Sequence, residues 1–388
     1  MASSSGSRLF AGFLVVLFSC GLYANGCYLS IISFGDSIAD TGNQKHLALI
    51  SDDVIFICGP PYGQNFIGQS TGRCSNGRLI IDFLAESLGL PLIPPYFNGK
   101  GSSGVGRQGV NYAVVGATAL DASFMEAKWS ERSVINASIK IQLAWFKESV
   151  SSICGNASAD CRNFIGRSLI LMGEIGGNDY NYPLSVGQPI DEIEPIVPLV
   201  IDAIISTINE LIVMGARTLV VPGNFPLGCL PRILTIYGSD NEEYDPITGC
   251  MTKFNKFAEY HNKMLQTKLD HIRERNPNVT LIYADYYNAL MQIYRSPYEY
   301  GFTNDKILKA CCGCGGPFNF NVSMQCGELC KTVCDEPDTY LSWDGIHLTE
   351  IAYKLIFKSL FQGPYTIPEF SPLCPASSQT EVGLSSYI

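Results

Sequence analysis

Ser37 directly follows a short apolar run, in Phe34-Gly-Asp-Ser-Ile-Ala-Asp-Thr-Gly-Asn43. A serine hydroxyl becomes a nucleophile only beside a base, and imidazole suits because it titrates near neutral pH. The chain has four histidines. His261 and His271 fall in a charged helical pattern and read as solvated face residues. His46 reads as a surface position in a loop. His347 differs: in Ser342-Trp-Asp-Gly-Ile-His-Leu-Thr-Glu350, Asp344 stands three residues ahead of it, just before a helical pattern. A turn there can fold the carboxylate under the ring, where it fixes the tautomer and stabilises the imidazolium. Each residue also has an ordinary reading, Ser37 as a helix N-cap above all.

Attack on a carbonyl also needs donors for the oxyanion. Two glycine- and asparagine-rich blocks offer them. Asn111-Tyr-Ala-Val-Val-Gly-Ala-Thr-Ala-Leu120 contains Gly116, whose backbone N–H can approach closely. Gly173-Glu-Ile-Gly-Gly-Asn-Asp-Tyr180 contains Asn178, whose amide is a second donor. Plain turn chemistry is the competing reading of both. Other matches are decoys. Gly68-Gln-Ser-Thr-Gly72 fits G-x-S-x-G, but prolines and glycines precede it where a strand is needed. Gly99–Gly104 and Gly104–Gly109 fit G-x-G-x-x-G without a preceding strand.

The elements that must position these residues alternate. Strands are expected at Tyr28–Phe34, Gly109–Val115, Ser168–Met172, Arg217–Val221 and Val279–Ala284. Helices are expected at Leu79–Leu88, between Ile193 and Ile212, at Asn255–Arg275 and at Leu348–Leu360. The Ile193–Ile212 stretch repeats apolar residues at three and four. Strand–helix alternation builds a parallel sheet covered on both faces, with ligands beyond the carboxyl ends of the strands. Ser37 is then expected at the mouth of a helix that follows the first strand.

Composition narrows the function. The chain is 46% hydrophobic with a net charge of −10 and no basic block. That argues against nucleic acid and anionic membranes as partners. Residues 1–26 read as a secretory signal peptide, with one charge, an apolar run from Leu9 to Leu22 and small residues before Gly26. No other stretch is read as spanning a bilayer. Residues 27–375 are expected to form one domain, followed by a flexible tail over 376–388. Of 15 cysteines, Cys20 leaves with the signal, and an even, high count in an exported chain implies disulfides. The cluster Cys311, Cys312, Cys314, Cys326, Cys330 and Cys334 reads as disulfide-bonded rather than metal-binding. Cys154 and Cys161 are expected to close a small loop. Sequons at Asn136, Asn156, Asn278 and Asn321 are glycan acceptors if exposed.

The four blocks around Ser37, Gly116, Asn178 and Asp344–His347, taken in this order, resemble the GDSL, or SGNH, esterase/lipase family over nearly the whole mature chain. The runs Leu171–Tyr182 and Ile282–Tyr287 are similar to the plant sinapine esterase and acetylajmalan esterase group. The resemblance implies a three-layer α/β/α sandwich with about five mostly parallel strands and no cofactor or metal. It implies Ser37 as nucleophile, His347 as base and then acid, and Asp344 as orienting carboxylate. Ser37, Gly116 and Asn178 would form the oxyanion hole. The expected partner is a small-molecule ester, and the expected location is extracellular, in the apoplast or vacuole. Transfer of the acyl group to an alcohol would use the same acyl-serine, and a non-catalytic secreted glycoprotein is the more distant alternative. Many family members have proline where this chain has Leu348.

Overall fold

The computed structural model describes residues 27–50, 57–66, 68–99, 108–130, 135–155, 158–327 and 330–370. The expected signal peptide and tail lie outside the described residues. Among the described residues, six strands form one sheet: β1 Ile31–Ser33, β2 Gly109–Asn111, β3 Leu169–Leu171, β4 Thr218–Pro222, β5 Thr280–Ala284 and β6 Thr366–Ile367. Their order is β2-β1-β3-β4-β5-β6. The first five pair in parallel, with Ile31 beside both Gly109 and Leu169. β6 pairs antiparallel with β5, through Ala284 and Thr366.

The five expected strands are all present, most of them shorter than their apolar runs. β2 stops at Asn111 because its side chain turns back on its own chain, accepting from the Ala113 N–H at 2.9 Å. β6 was not expected. It is two residues long and its neighbour Pro368 cannot extend a ladder.

Helices cover both faces of the sheet, giving three layers. Val197–Met214 packs against Ile139–Cys154 and Thr252–Arg275, while Glu350–Phe361 packs against Ile80–Ser87 and Tyr286–Arg295. The expected helix from Ile193 is broken at its start: Ile190–Ile193 and a 3-10 turn at Glu194–Ile196 precede Val197, with Pro195 and Pro198 at the joints. Ile190–Met214 as a whole is long and apolar enough to cross a membrane by composition. That corrects the expectation that only the N-terminal run has this property. Here Val200, Ile201, Ile204, Ile208 and Leu211 bury themselves in the core instead.

Among the described residues, cysteines pair as 58–74, 154–161, 229–250, 311–334, 312–326 and 314–330. The local 154–161 loop and the cross-linked cluster both match expectation. The cluster has a place in the architecture. Cys58, Tyr62, Cys74, Cys311, Cys312 and Trp343 belong to a second small core. The Cys311 and Cys312 N–H groups donate to the carbonyls of Ser342 and Trp343 at 3.0 and 2.6 Å. The cysteine loop thus braces the segment that leads into Asp344.

Candidate active site

Beyond β1 the chain leaves the sheet through Phe34-Gly35. Gly35 has φ +133°, and a Cβ there would lie 2.9 Å from the Glu174 carbonyl oxygen. Only glycine accepts both conditions. Gln142 clamps this turn, accepting from the Gly35 N–H and donating to its carbonyl, both at 2.8 Å. Residues 36–39 then make a single turn that carries Ser37, which is 6% exposed. The helix expected at this serine begins only at Asn43. Asp40 explains the delay. Its carboxylate takes the N–H groups of Gly42, Asn43 and Gln44 at 2.6–3.0 Å and so caps the later helix. It also takes the Val115 N–H at 3.0 Å, tying the serine block to the Gly116 block.

The second half of the site is a tight loop. Ser342 and Leu348 form an antiparallel bridge, and the Trp343 N–H donates to the His347 carbonyl at 2.8 Å. Inside the loop, Asp344 Oδ1 accepts from the Ile346 and His347 N–H groups at 2.9 and 2.7 Å. Its Oδ2 lies 2.6 Å from His347 Nδ1, and His347 Nε2 lies 2.8 Å from Ser37 Oγ. All three side chains are nearly buried. Burial pushes the Asp344 carboxyl up, but the adjacent imidazole and the hydrogen bonds it accepts outweigh that and hold it below its ordinary value. The N–H of Leu348 donates to Tyr353 Oη at 3.3 Å, a bond a proline at this position would lack.

Tyr62 completes the surroundings of Asp344. Its hydroxyl donates to Asp344 Oδ2 at 2.8 Å, and its ring meets Trp343 edge-on at 5.9 Å. Sequence reasoning passed over it, because a lone tyrosine in a Pro/Gly-rich loop carries no spacing signal.

Asn178 is the second residue of the helix Gly177–Ser185, which follows β3 after a short loop. Its Nδ2 donates to Asp36 Oδ2 and to the Ala117 carbonyl, both at 3.0 Å. Those acceptors belong to the residue before Ser37 and the residue after Gly116. The three positions expected to hold an oxyanion are therefore laced together. Asp179 adds to this by accepting from the Ala119 and Leu120 N–H groups at 2.7 and 2.9 Å. Gly116 has φ +80°, and a Cβ would meet Tyr182 Oη at 2.7 Å.

Beneath this lacing, Asp36 and Glu174 are buried with their carboxyls hydrogen-bonded to each other, and Glu174 also accepts from the Gly177 N–H. Burial, and then the charge of Glu174, push Asp36 up strongly. Burial pushes Glu174 up as well. The pair thus keeps a proton above about pH 4, where carboxyls in an unfolded chain have lost theirs. Because the native state binds more protons there, this contribution to stability is complete in acid and is lost as pH rises. Glu174→Gln keeps the shape but removes one ionising partner. It is expected to flatten the decline of Tm that accompanies rising pH above the ordinary carboxyl range. An unchanged slope in that variant, measured by scanning calorimetry, would show that the pair does not titrate in this way.

The remaining residues fall as follows. His271 is exposed and His46 is half-buried on the helix Asn43–Ile50. His261 is not a solvated residue: it is 1% exposed, its Nδ1 lies 2.7 Å from Tyr180 Oη, and burial lowers its pKa to about 3. The charged pattern around it occupies the other side of the helix Thr252–Arg275. Gly68–Gly72 lies in turns and bends, and among the described residues no strand precedes it and no helix directly follows it. Asn136 and Asn278 are exposed, Asn321 is half-buried, and Asn156 lies outside the described residues.

The fold is an α/β sandwich on a mostly parallel sheet, with Ser37, His347 and Asp344 in hydrogen-bond reach of one another in the order Ser–His–Asp. Residues 31–360 match the model of the GDSL-like lipase/acylhydrolase family, and the chain belongs to that family. Among similar proteins of Arabidopsis thaliana, GDSL esterase/lipase At1g31550 is 52% identical over 90% of this chain and 87% of its own length. GDSL esterase/lipase At1g28590 is 51% identical over 90% and 86%. GDSL esterase/lipase At1g28640 is 46% identical over 98% of both chains. The chain is accordingly a carboxylic ester hydrolase that acts on small-molecule esters.

Proposed function

We propose that this chain is a secreted plant serine esterase that hydrolyses carboxylic esters of small metabolites through an acyl-serine intermediate, with residues 27–375 as its single hydrolase domain. The observation that carries the reading is the chain of contacts from Ser37 Oγ to His347 Nε2 at 2.8 Å and from Nδ1 to Asp344 Oδ2 at 2.6 Å. Ser37 Oγ attacks the ester carbonyl as its proton passes to His347 Nε2. The tetrahedral intermediate collapses and the alcohol leaves with that proton. Water, deprotonated by the same nitrogen, then attacks the acyl-serine and releases the acid. Export is supported by the six disulfides between described residues and by exposed sequons at Asn136 and Asn278. The test is covalent: a fluorophosphonate probe is expected to label the protein once, on Ser37, as located by peptide mass mapping. Labelling elsewhere, or none in folded protein, refutes the assignment.

In this reading the oxyanion is held by the N–H groups of Ser37 and Gly116 and by Asn178. Both Nδ2 contacts of Asn178 are made to the protein, so its share in the hole requires one amide hydrogen to turn from Asp36 or Ala117 to the developing charge. Loss of one such donor costs about 10²–10³-fold in turnover. Asn178→Ala is expected to fold and to lose kcat by about that factor. A kcat near that of the parent enzyme would remove Asn178 from the hole.

A further inference from the structure

Residues 178, 182 and 185 of the helix Gly177–Ser185 stand at i, i+4 and i+7 and share one face. All three are half-buried, whereas Pro183 and Leu184 between them are buried. This face is therefore an accessible track that starts at Asn178. Tyr182 Oη donates to the Gly116 carbonyl at 3.1 Å, which places the middle of the track beside the oxyanion block. Ser185 ends it, about 10 Å from Asn178 along the axis at 1.5 Å per residue.

At that end the guanidinium of Arg232 donates to Ser185 Oγ. Arg232 belongs to the helix Pro231–Tyr237, and its backbone N–H donates to the carbonyl of Gly345, next to Asp344, at 3.1 Å. Its side chain thus lies between the far end of the track and the catalytic turn. A guanidinium has five N–H donors in a planar fork. Among the described residues Ser185 Oγ is the only hydrogen-bond acceptor it meets, and no carboxylate lies within ion-pair reach. The nearby Asp344 carboxylate is engaged by His347 and Tyr62. Burial holds the guanidinium below its ordinary pKa. A cation kept partly out of water is costly unless an anion answers it.

We propose that Arg232 is a substrate-recognition residue, and that the preferred substrates are esters carrying a carboxylate, which seats on the Arg232 guanidinium while the scissile carbonyl lies at Ser37. The inference rests on the serine-esterase reading above and adds the substrate class to it. A planar fork matches a carboxylate with two parallel hydrogen bonds. The contact lies at the end of the track about 10 Å from Asn178, so it selects on either half of the molecule. In a chain of net charge −10, such a cation also draws the carboxylate to this end of the site.

The test compares matched esters. Mono-4-nitrophenyl adipate carries the carboxylate on the acid half, and its methyl ester is the neutral mate. For the alcohol half, 4-acetoxybenzoate is compared with methyl 4-acetoxybenzoate. In at least one pair the parent enzyme is expected to favour the charged ester. Arg232→Met is expected to cut that charged-to-neutral ratio of kcat/KM by about 10–100-fold, chiefly through KM. Arg232→Lys should fall between the two, and it serves if the methionine variant fails to fold. A ratio unchanged by substitution, whether both rates fall together or neither falls, overturns the proposal. Calorimetric binding of the same intact esters to Ser37→Ala protein, with and without Arg232→Met, reads the preference without turnover. If no ester is hydrolysed by the parent, the serine-esterase reading fails while this binding arm still decides the role of Arg232.

Discussion

Replacing Ser37 with alanine is expected to lower kcat/KM for ester hydrolysis by about 10⁴–10⁶-fold while the protein stays folded. The side chain is small, and its loss leaves His347 held by Asp344 at 2.6 Å and the surrounding turn held by Gln142 and Asp40. What disappears is the atom that forms the acyl bond. Residual rate over water should survive, because the oxyanion donors remain. Triad members act as a unit, so adding His347→Ala to Ser37→Ala is expected to cost almost nothing further. The decisive measurement is a progress curve with an activated ester alongside a melting curve for each variant. A folded Ser37→Ala protein within tenfold of the parent would remove the nucleophile from the mechanism.

Asp344→Asn is the second large effect, expected at about 10⁴-fold in kcat. Asp344 is an acceptor on four sides: Oδ1 takes the N–H groups of Ile346 and His347, and Oδ2 takes Tyr62 Oη and His347 Nδ1. An asparagine keeps its carbonyl oxygen toward the two backbone donors, so the turn survives. Its amide nitrogen must then occupy the place of Oδ2, facing Tyr62 and Nδ1 with donors rather than lone pairs. The imidazole answers by placing its proton on Nε2, and in that tautomer Nε2 cannot take the proton of Ser37. Near-normal kcat in the asparagine variant, with a crystal structure showing Nδ1 still facing residue 344, would mean that the ring does not work as the base. Tyr62 shares the same oxygen, so it has to rotate away or turn its hydroxyl to accept.

The candidate site was legible because its parts are local motifs near the ends of strands and helices. Ser37, Gly116, Asn178 and the Asp344–His347 turn each sit within a few residues of an element whose apolar pattern is readable, and the sheet order brings those ends to one rim. Tyr62, Glu174 and Arg232 were not legible as site residues. Each depends on contacts across long sequence separations, and each is of a type that also serves ordinary packing or solvation. His261 was misread for a related reason. The charged residues flanking it suggested a solvated face, whereas His261 lies under Tyr180 on the buried face of that helix with Ala258, Asn262 and Leu265, while Glu259 and Lys263 stay in water.

The amino-acid order by itself determined the alternation of strands and helices, hence a parallel sheet with its chemistry at the carboxyl ends, and it determined the residue types available there. Periodicity and turn chemistry are short-range properties, so they can be read along the chain. Tertiary structure decided the rest: that the Ser37 hydroxyl meets the His347 ring, that Asp40 moves the helix away from that serine, that the Asp36 and Glu174 carboxyls are buried against each other beneath the Gly116 block, and that, among the described residues, the Arg232 guanidinium meets Ser185 and no carboxylate. These are consequences of long-range packing and of burial, which change the energy of a charge or a hydrogen bond without leaving a mark on its neighbours in sequence.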